Sequence, residues 1–261
     1  MMRKIYYWLK SFGIDPIKFV NAIRGSGFYI RDYYIFINQQ KKCIPLFPIK
    51  SFYPCLDDRY SKSGAATGHY FHQDLLVARR INDDNPIRHI DIGSRVDGFV
   101  AHVASFREIE VIDIRSMTSK VKNIKFIRAD MMNLVPHELI GSCDSLSCLH
   151  AIEHFGLGRY GEPINCNGYF SGFENLSLIL KSGGKLYLST PIGPQRIEFN
   201  AHRIFSLEYL LSCLSDKFRL NQFSYIDDSG DLHENVQLST GQIKNNFGCQ
   251  YGCGVLEMTK I

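Results

Sequence analysis

The fold class follows from a short stretch at the end of a predicted strand, Asp91-Ile-Gly-Ser-Arg-Val-Asp-Gly-Phe99. The apolar residues before it predict a buried strand, and the residues from Gly98 onward predict a helix. A glycine between a strand and a helix lets the backbone approach a ligand closely, because it has no side chain. The N-terminus of the helix adds free N–H groups and the positive end of a dipole. The stretch therefore predicts a ligand site at the end of this strand.

A second acidic residue, Asp113, ends the next predicted strand. A carboxylate at this place can accept hydrogen bonds from both vicinal hydroxyls of a ribose. The phosphate-binding pattern G-x-G-x-x-G is missing, because Arg95 and Asp97 occupy positions after Gly93 and Asp97 would repel a pyrophosphate. These residues indicate a nucleoside-containing cofactor and argue against a nicotinamide dinucleotide.

Short apolar runs alternate with amphipathic stretches from about residue 87 to the end, which predicts a parallel sheet with helices on both faces. Strands are predicted at 88–92, 109–113, 124–128, 145–149, 185–189, 218–226 and 249–258. Helices are predicted at 69–81, 98–106, 136–140, 169–181 and 206–215, and a long polar loop or an excursion from the sheet at 227–247. The expected stop signal of the fourth helix is Gly183-Gly184, and the expected N-cap of the fifth is Ser206. We therefore expect an α/β domain with a doubly wound, mostly parallel sheet of seven strands.

The composition is that of a globular protein, with 261 residues of which 45% are hydrophobic and 21% charged. It argues against a disordered or fibrous chain. Since no apolar run approaches the roughly 18 residues of a membrane span and no signal-peptide pattern begins the chain, we expect a cytoplasmic protein. The cysteines form no C-x-x-C pair, and the histidines other than His154 and His202 form no H-x-x-x-H pair with one another beside an acid, so no metal site is expected, including at Cys249 and Cys253.

The first part of the chain differs in charge from the rest. Residues 1–50 carry nine Lys or Arg and two Asp, a local charge of +7, together with many aromatic side chains. This combination suits peripheral contact with an anionic membrane at its inner face, at about 1 kcal/mol per basic residue. The alternative is that residues 1–68 form a helical and extended lobe whose aromatic residues pack on the body at 69–261. No nucleic-acid motif accompanies the basic residues, so no nucleic acid partner is expected.

The order of the motifs resembles that of the class I S-adenosylmethionine-dependent methyltransferases. The matching stretches are Asp91-Ile-Gly-Ser94, Val111-Ile-Asp113, Arg128-Ala-Asp130, Leu149-His-Ala-Ile-Glu-His154 and Leu180-Lys-Ser-Gly-Gly-Lys-Leu-Tyr-Leu-Ser-Thr-Pro191. At finer grain, residues 91–102, 153–161 and 199–205 resemble an uncharacterised family, the domain of unknown function 268, which is associated with bacterial surface-polysaccharide clusters.

The resemblance covers about residues 87–261 and implies a Rossmann-like fold that binds S-adenosylmethionine. It further implies O-methylation of a sugar or surface-glycan precursor, with a small-molecule or glycan acceptor as partner. One alternative is a catalytically silent scaffold with the methyltransferase fold. The other is an enzyme that modifies a nucleotide sugar and uses the same ribose carboxylate.

The resemblance also implies a cofactor site made of residues at the strand ends. Asp91 and Gly93, with Ser94 and Arg95 after them, line the methionine portion, Asp113 the ribose, Asp130 and Met131 the adenine, and Leu149 the approach to the sulfonium. The family usually has glycines at alternate positions after the first acid, and Arg95 and Asp97 replace two of them. Either Arg95 pairs with the methionine carboxylate in a modified loop, or this chain has lost cofactor binding.

Two residues after the fourth predicted strand are the expected catalytic pair. His154 is the expected general base, because a neutral imidazole can accept a hydroxyl proton near neutral pH. Glu153 either orients His154 or acts as the base itself. The alternative is that the pair only caps a helix or holds the loop.

The expected acceptor wall follows the catalytic pair. Arg159 and Tyr160 lie in a loop with three glycines and could grip an anion or stack on a sugar, unless the loop is a plain turn. Asn200, His202 and Arg203 follow the fifth strand and are expected to face the same cleft. For Arg203, a plain charge flanking a helix is the alternative.

Overall fold

The computed structural model describes residues 2–42 and 47–261. The extended segment expected after the first helices includes residues 43–46, among them Pro45, which lie outside the described residues. The chain forms two compact units, Met1–Ala65 and Ala66–Ile261. The boundary expected at residue 68 and the packing of the lobe on the body stay predictions.

The first unit is built on two helices, α1 (Met2–Ser11) and α2 (Pro16–Gln40), followed by irregular chain with a 3-10 turn at Asp58–Tyr60. Asp15 caps α2, since its carboxylate accepts hydrogen bonds from the first free N–H groups and Pro16 begins the helix. In the part of the chain that is described, no helix is long and apolar enough to cross a membrane.

The second unit alternates strands and helices, as its sequence predicts. Its described strands are β1 (His89–Ile92), β2 (Ile109–Asp113), β3 (Ile124–Arg128), β4 (Cys143–Leu149), β5 (Leu180–Ile192), β6 (Arg196–Glu198), β7 (His202–Ile204), β8 (Phe218–Ile226), β9 (Leu232–His233) and β10 (Gly252–Lys260). Its described helices are α3 (His69–Asp84), α4 (Ala101–Ala104), α5 (Gly168–Ile179), α6 (Leu207–Leu214) and α7 (Thr240–Lys244). Single helical turns lie at Val96–Val100, His137–Leu139, Ile152–His154 and Asn246–Gly248.

One large sheet organises this unit. Within the described residues it has eight strands in the order β3-β2-β1-β4-β5-β10-β8-β9. Strands β1 to β5 are parallel, and β10 runs antiparallel between β5 and β8. This confirms the expected α/β class and the mostly parallel sheet. The expected number of seven strands was one too few, because the two-residue strand β9 pairs with the end of β8.

Helices cover both faces of the sheet, which makes it doubly wound. Successive residues of β5 point to opposite faces, so Leu186 and Tyr187 lie in different hydrophobic clusters. Helix α3 packs Val77 and Ile81 on the Tyr187 face. Helices α5 and α6 pack on the Leu186 face, where Phe173 is buried. Both faces of the parallel strands are therefore covered by helices. In sheets of this kind, ligands bind at the carboxyl ends of the strands.

The predicted helix at 98–106 is broken in the structure. A π-helical turn at Val96–Val100 precedes the short helix α4, and Gly98 within this turn has a non-helical backbone with φ −125° and ψ −109°. A Cβ on Gly98 would lie 2.8 Å from a carboxylate oxygen of Asp74 on α3. The deviation is therefore linked to a tertiary contact that local sequence does not show.

Three other predicted segments also need correction. The helix at 169–181 ends at Ile179, because Leu180 already pairs with Cys143 in the sheet and the two glycines bulge out of β5. The helix at 136–140 is a single 3-10 turn. The loop at 227–247 contains β9 and α7, and Ser239 starts α7 with a capping box. Ser206 is the N-cap of α6, as predicted.

Candidate active site

A pocket opens to solvent at the carboxyl ends of β1, β2, β3 and β4. Its wall brings together six of the residues that the sequence singled out: Gly93, Asp113, Asp130, Met131, His154 and Tyr160. Other predicted site residues lie off this wall: Asp91, Ser94, Arg95, Leu149, Glu153, Arg159, Asn200, His202 and Arg203. The pocket therefore joins the expected ribose and adenine positions to the expected base.

The floor of the pocket depends on a close approach between two chain segments. Gly93 follows β1 with φ +71°, in the left-handed region that favours glycine. A Cβ at this position would lie 3.0 Å from the Cβ of Ala151, which follows β4. Both residues line the pocket. A side chain at position 93 would therefore narrow the pocket.

Asp91 lies under the floor and braces the turn. Its carboxylate accepts hydrogen bonds from the Ser94 backbone N–H at 2.9 Å and from the Ser94 and Ser147 hydroxyls at 2.6 Å each. The Ser94 hydroxyl oxygen in turn accepts from the Leu149 N–H at 3.3 Å. Burial raises the pKa of Asp91 to about 6. The contact of Asp91, Ser94 and Leu149 with a cofactor stays a prediction, since the structure shows these residues holding the loop.

Asp113 ends β2 as predicted, and an arginine that the sequence reasoning missed lies on it. The Arg115 guanidinium donates to the two carboxylate oxygens of Asp113 at 3.0 and 2.6 Å, and the Arg115 backbone N–H donates at 2.8 Å. The guanidinium also lies 4.6 Å from the centre of the Tyr160 ring. Because two carboxylate oxygens offer about four lone-pair sites, roughly one of them remains for an incoming hydroxyl.

The turn after β3, which is the expected adenine position, is held by helix α5. Asp130 accepts a hydrogen bond from the Met132 N–H at 2.9 Å, which shapes the turn after β3. The buried amide of Asn175 on α5 donates to the carbonyl oxygens of Met131 and Asn133 at 2.8 and 2.7 Å. No local sequence signal identifies Asn175, since it lies on a helix remote from this turn.

Arg95 lies beside the pocket rather than in it. Its side chain is 58% exposed and forms two hydrogen bonds to Asp97 at 3.1 and 2.8 Å. Its guanidinium also lies 5.6 Å from the centre of the Tyr70 ring. Because Arg95 is not on the wall, it does not block the pocket. Its expected pairing with a methionine carboxylate stays a prediction.

His154 lies on the pocket wall with its ring fixed by a backbone group. Its Nδ1 lies 2.6 Å from the carbonyl oxygen of Ala201, so Nδ1 carries the proton and donates it. This leaves Nε2 as the acceptor nitrogen, 3.8 Å from Oε1 of Glu153. Burial lowers the pKa of His154, and the opposing effect of Glu153 does not restore it. His154 is therefore neutral at physiological pH and able to accept a proton.

Glu153 is oriented toward a different histidine from the one expected. Its Oε1 accepts a hydrogen bond from Nδ1 of His150 at 2.8 Å, and the two side chains are 1% and 4% exposed. Burial alone would raise the pKa of Glu153, but His150 and then His154 hold it below its ordinary value. Burial likewise disfavours charge on His150, yet Cys253 and Glu153 raise its pKa well above the usual range. Glu153 is thus part of a buried ion pair.

The loop with three glycines is organised around a carboxylate that sequence reasoning missed. Glu162 is buried, and its oxygens accept hydrogen bonds from the backbone N–H groups of Gly158, Arg159 and Tyr160 at 2.8, 3.2 and 2.8 Å. The Tyr160 ring stands edge-on to the His154 ring at 5.5 Å. The loop therefore presents Tyr160 to the pocket in a fixed conformation.

The other predicted acceptor residues lie around this loop. The guanidinium of Arg159 donates to the Ala201 carbonyl oxygen at 3.1 Å. Arg203 is buried and donates to the carbonyl oxygens of Phe155 at 2.6 Å and Cys166 at 3.1 Å, so it supports the loop from behind.

Asn200 and His202 belong to the hairpin of β6 and β7. Asn200 is exposed in its turn, with φ +63°. His202 stacks on Tyr251 at 5.3 Å. Contact of the predicted acceptor residues with an acceptor stays a prediction.

A protein-family model described as "Caenorhabditis protein of unknown function, DUF268" matches residues 100–251, more than half of the chain. The chain belongs to this family. The DUF268 assignment confirms the finer of the two resemblances found in the sequence. None of the curated proteins compared with the chain matches it.

Solved structures show what fold this DUF268 chain has. It is similar to the 1,6-didemethyltoxoflavin-N1-methyltransferase of Burkholderia thailandensis, determined with 1,6-didemethyltoxoflavin and S-adenosylhomocysteine bound. The identity is 11% over 72% of this chain and 78% of that chain, with a TM-score of 0.51. Another similar structure is the N-methyltransferase NodS of Bradyrhizobium japonicum with S-adenosylhomocysteine, at 12% identity over 74% and 88% with a TM-score of 0.49. The first likeness confirms the class I methyltransferase fold.

Proposed function

We propose that this DUF268 protein is an S-adenosylmethionine-dependent methyltransferase that methylates a hydroxyl oxygen of a sugar or surface-glycan precursor. One observation carries the proposal. A single pocket extends from the carboxylate of Asp113 to the neutral imidazole of His154 across the close approach of Gly93 and Ala151.

The residues of the pocket fit the cofactor. Ile112 and Met131 offer apolar surface for an adenine, and Asp113 offers an acceptor for ribose hydroxyls. The missing side chain at Gly93 leaves room above the floor. When bound, S-adenosylmethionine supplies a methyl group attached to a positively charged sulfur. The thioether that remains after transfer is a neutral leaving group and needs no proton. The protein's own tasks are therefore to position the acceptor and to remove its proton.

Proton removal falls to His154. The hydrogen bond from Nδ1 to the Ala201 carbonyl oxygen fixes the tautomer, so Nε2 takes the proton that the acceptor hydroxyl loses. The buried negative charge of Glu153, 3.8 Å away, stabilises the imidazolium that results. Tyr160 and Arg115 cover the adjacent wall and exclude water from it.

A sugar acceptor is supported by the side chains next to His154. Tyr160 presents an aromatic ring whose position Glu162 fixes through the loop backbone. Such rings stack on the apolar faces of sugars, and the neighbouring Arg159 can pair with an anionic group on the precursor. A hydroxyl on a sugar placed there would lie within reach of the base.

Calorimetric titration with S-adenosylmethionine tests the proposal. We expect saturable binding to the wild type and a loss of about 10–100-fold in affinity in Asp113→Ala, which removes hydrogen bonds to a charged group. Glu108→Ala is the matched control, because Glu108 is an exposed acid at the other end of β2 that pairs with Lys125. It should leave binding unchanged. Transfer of a labelled methyl group to sugars and glycan precursors then identifies the acceptor.

The same titration separates the alternatives. Heat only with a nucleoside diphosphate sugar supports the nucleotide-sugar-modifying enzyme and contradicts the proposal. No heat with either compound supports the catalytically silent scaffold.

For residues 1–50 we propose peripheral contact with an anionic membrane, supported by exposed aromatic side chains beside basic ones. Trp8 and Phe12 on this part of the chain are 68% and 73% exposed, and they stack on each other. Full-length protein should sediment with anionic vesicles, and Trp8→Ser with Phe12→Ser should reduce this. Phe199→Ser, at an exposed aromatic of the second unit, is the control. Equal sedimentation of all three proteins contradicts the membrane proposal.

A further inference from the structure

A cluster of donor side chains lies outside the pocket wall, on the sheet face that α3 covers. His69 begins α3, His150 follows β4 and Cys253 lies in β10. Only β5 separates β4 from β10 in the sheet. One ligand atom from each of the three side chains lies within 4.8 Å of the other two. Three segments that are far apart in the sequence therefore meet at one point.

One ring nitrogen of His150 is held by a carboxylate, and the other has no partner in the described part of the chain. Its Nδ1 donates to Glu153 Oε1 at 2.8 Å, and its side chain is 4% exposed. Its Nε2 is buried and has no hydrogen-bond partner among the described residues. A carboxylate that holds one imidazole nitrogen while the other nitrogen faces a donor cluster is the arrangement of metal-binding histidines.

We propose that His69, His150 and Cys253 bind a zinc ion, with Glu153 as the residue that orients His150. Binding releases to solvent the proton on Nε2 of His150 and the proton of the Cys253 thiol, and the ion takes their place. A thiolate sulfur and two imidazole nitrogens are ligands that zinc prefers, whereas magnesium and calcium prefer oxygen. Zinc bonds of about 2.1 Å to nitrogen and 2.3 Å to sulfur place tetrahedral ligands roughly 3.5 Å apart. Donors now within 4.8 Å therefore reach bonding distance once the His69 ring, which stacks on the His150 ring at 5.2 Å, turns its nitrogen toward the ion.

The ligand set leaves room for one more group on the ion. Within residues 2–42 and 47–261, the cluster contains no fourth histidine, cysteine, aspartate or glutamate. Zinc with three protein ligands keeps a position for water or another oxygen, as in catalytic sites. Glu153, which orients His150, also lies 3.8 Å from His154. The proposed zinc site thus lies next to the pocket, but its existence does not depend on the proposed methyl transfer.

Metal titration of the full-length protein tests this proposal. The protein is stripped with a chelator and then titrated with Zn²⁺, or with Co²⁺ as a spectroscopic probe. We expect one ion per chain and a thiolate-to-cobalt charge-transfer band. Cys253→Ser should remove the band and weaken zinc binding by at least about 100-fold, since even loss of an orienting carboxylate costs about 10–100-fold. Glu153→Gln should show that smaller loss and keep the band.

Cys249→Ser is the matched control, because Cys249 is also buried but lies outside the cluster. It should keep both the band and the stoichiometry. Circular dichroism checks that the variants fold. If Cys253→Ser does not fold, His69→Gln gives the second reading, because His69 is only partly buried and its loss should weaken binding while the thiolate band remains. Less than one zinc per chain in the wild type, or an unchanged band in Cys253→Ser, overturns the proposal.

Discussion

Two kinds of charged pair lie along the carboxyl edge of the sheet. Asp113 and Arg115 form one pair near the proposed ribose position; the arginine side chain is 48% exposed and the aspartate side chain 10%. Glu153 and His150 form the other, and both side chains are almost fully buried. An ion pair that solvent reaches through one partner contributes about 1 kcal/mol, whereas loss of one partner of a fully buried pair costs about 3–5 kcal/mol. We call the region of Asp113 and Arg115 the entrance and the region of Glu153 and His150 the interior. The ion pair of the entrance is therefore expected to break at a lower free-energy cost than that of the interior.

The largest effect is expected from breaking the buried pair. Glu153→Ala leaves His150 without its partner in the protein interior, and we expect the free energy of unfolding to fall by about 3–5 kcal/mol. Urea unfolding in the presence of a chelator measures it. Glu198→Ala is the control, since Glu198 is 50% exposed and lies 3.5 Å from His202. Similar unfolding midpoints for the two variants would contradict the contrast between interior and entrance.

The next effect concerns the base at the boundary of the two regions. His154→Gln should lower the rate of methyl transfer by about 100-fold, because a positioned base contributes at least that much. Burial lowers the pKa of His154, so the neutral form persists below pH 6.5 and the acid limb of the wild-type kcat/KM profile should lie below that pH. Glu153, Arg159, Tyr160 and His202 face the same ring. A wild-type acid limb above pH 6.5, or one that persists in His154→Gln, contradicts the assignment.

A smaller effect is expected at the entrance. Arg115 occupies most of the acceptor capacity of Asp113, so a ribose bound as proposed would displace part of this contact. Arg115→Ala should therefore raise the affinity for S-adenosylmethionine by up to about fivefold, the value of an exposed ion pair. Calorimetry measures the change, and the same substitution in an Asp113→Ala background should have none. A loss of affinity would show instead that Arg115 binds the ligand directly.

The smallest effect is expected from the most exposed pair. Asp97 is 74% exposed and contacts Arg95, itself 58% exposed, so Asp97→Ala should leave the thermal unfolding midpoint unchanged within error. Differential scanning fluorimetry checks this, with Glu108→Ala as an exposed control. A clear drop in the midpoint would show that the loop after β1 is a fixed part of the interior.

Local sequence patterns predict those parts of the carboxyl edge that depend on neighbouring residues. Apolar periodicity places the end of β2 at Asp113, and the strand-to-helix turn marks Gly93, because both signals lie within a few neighbouring residues. The eight-residue helix α6 begins after Ser206 for the same reason. Elements that a tertiary contact shapes are missed, such as the break at Gly98 opposite Asp74.

The candidate site shows the same division between local and long-range information. Arg115 is two residues from Asp113, but nothing in the sequence tells which of the nearby arginines turns back onto that carboxylate. The cluster of His69, His150 and Cys253 has no spacing pattern, since its members come from three remote segments. Contacts of this kind depend on the order of strands in the sheet, which becomes visible only in the folded chain.

The three backbone donors that Glu162 gathers have a consequence for protein engineering. They are the N–H groups of Gly158, Arg159 and Tyr160, and they converge on one carboxylate that the chain itself provides. Substitution of Glu162 by glycine would leave a ready-made cradle for a phosphate or sulfate beside the pocket. A designer who wishes to recruit phosphorylated compounds to this scaffold could begin by deleting one side chain rather than by adding several.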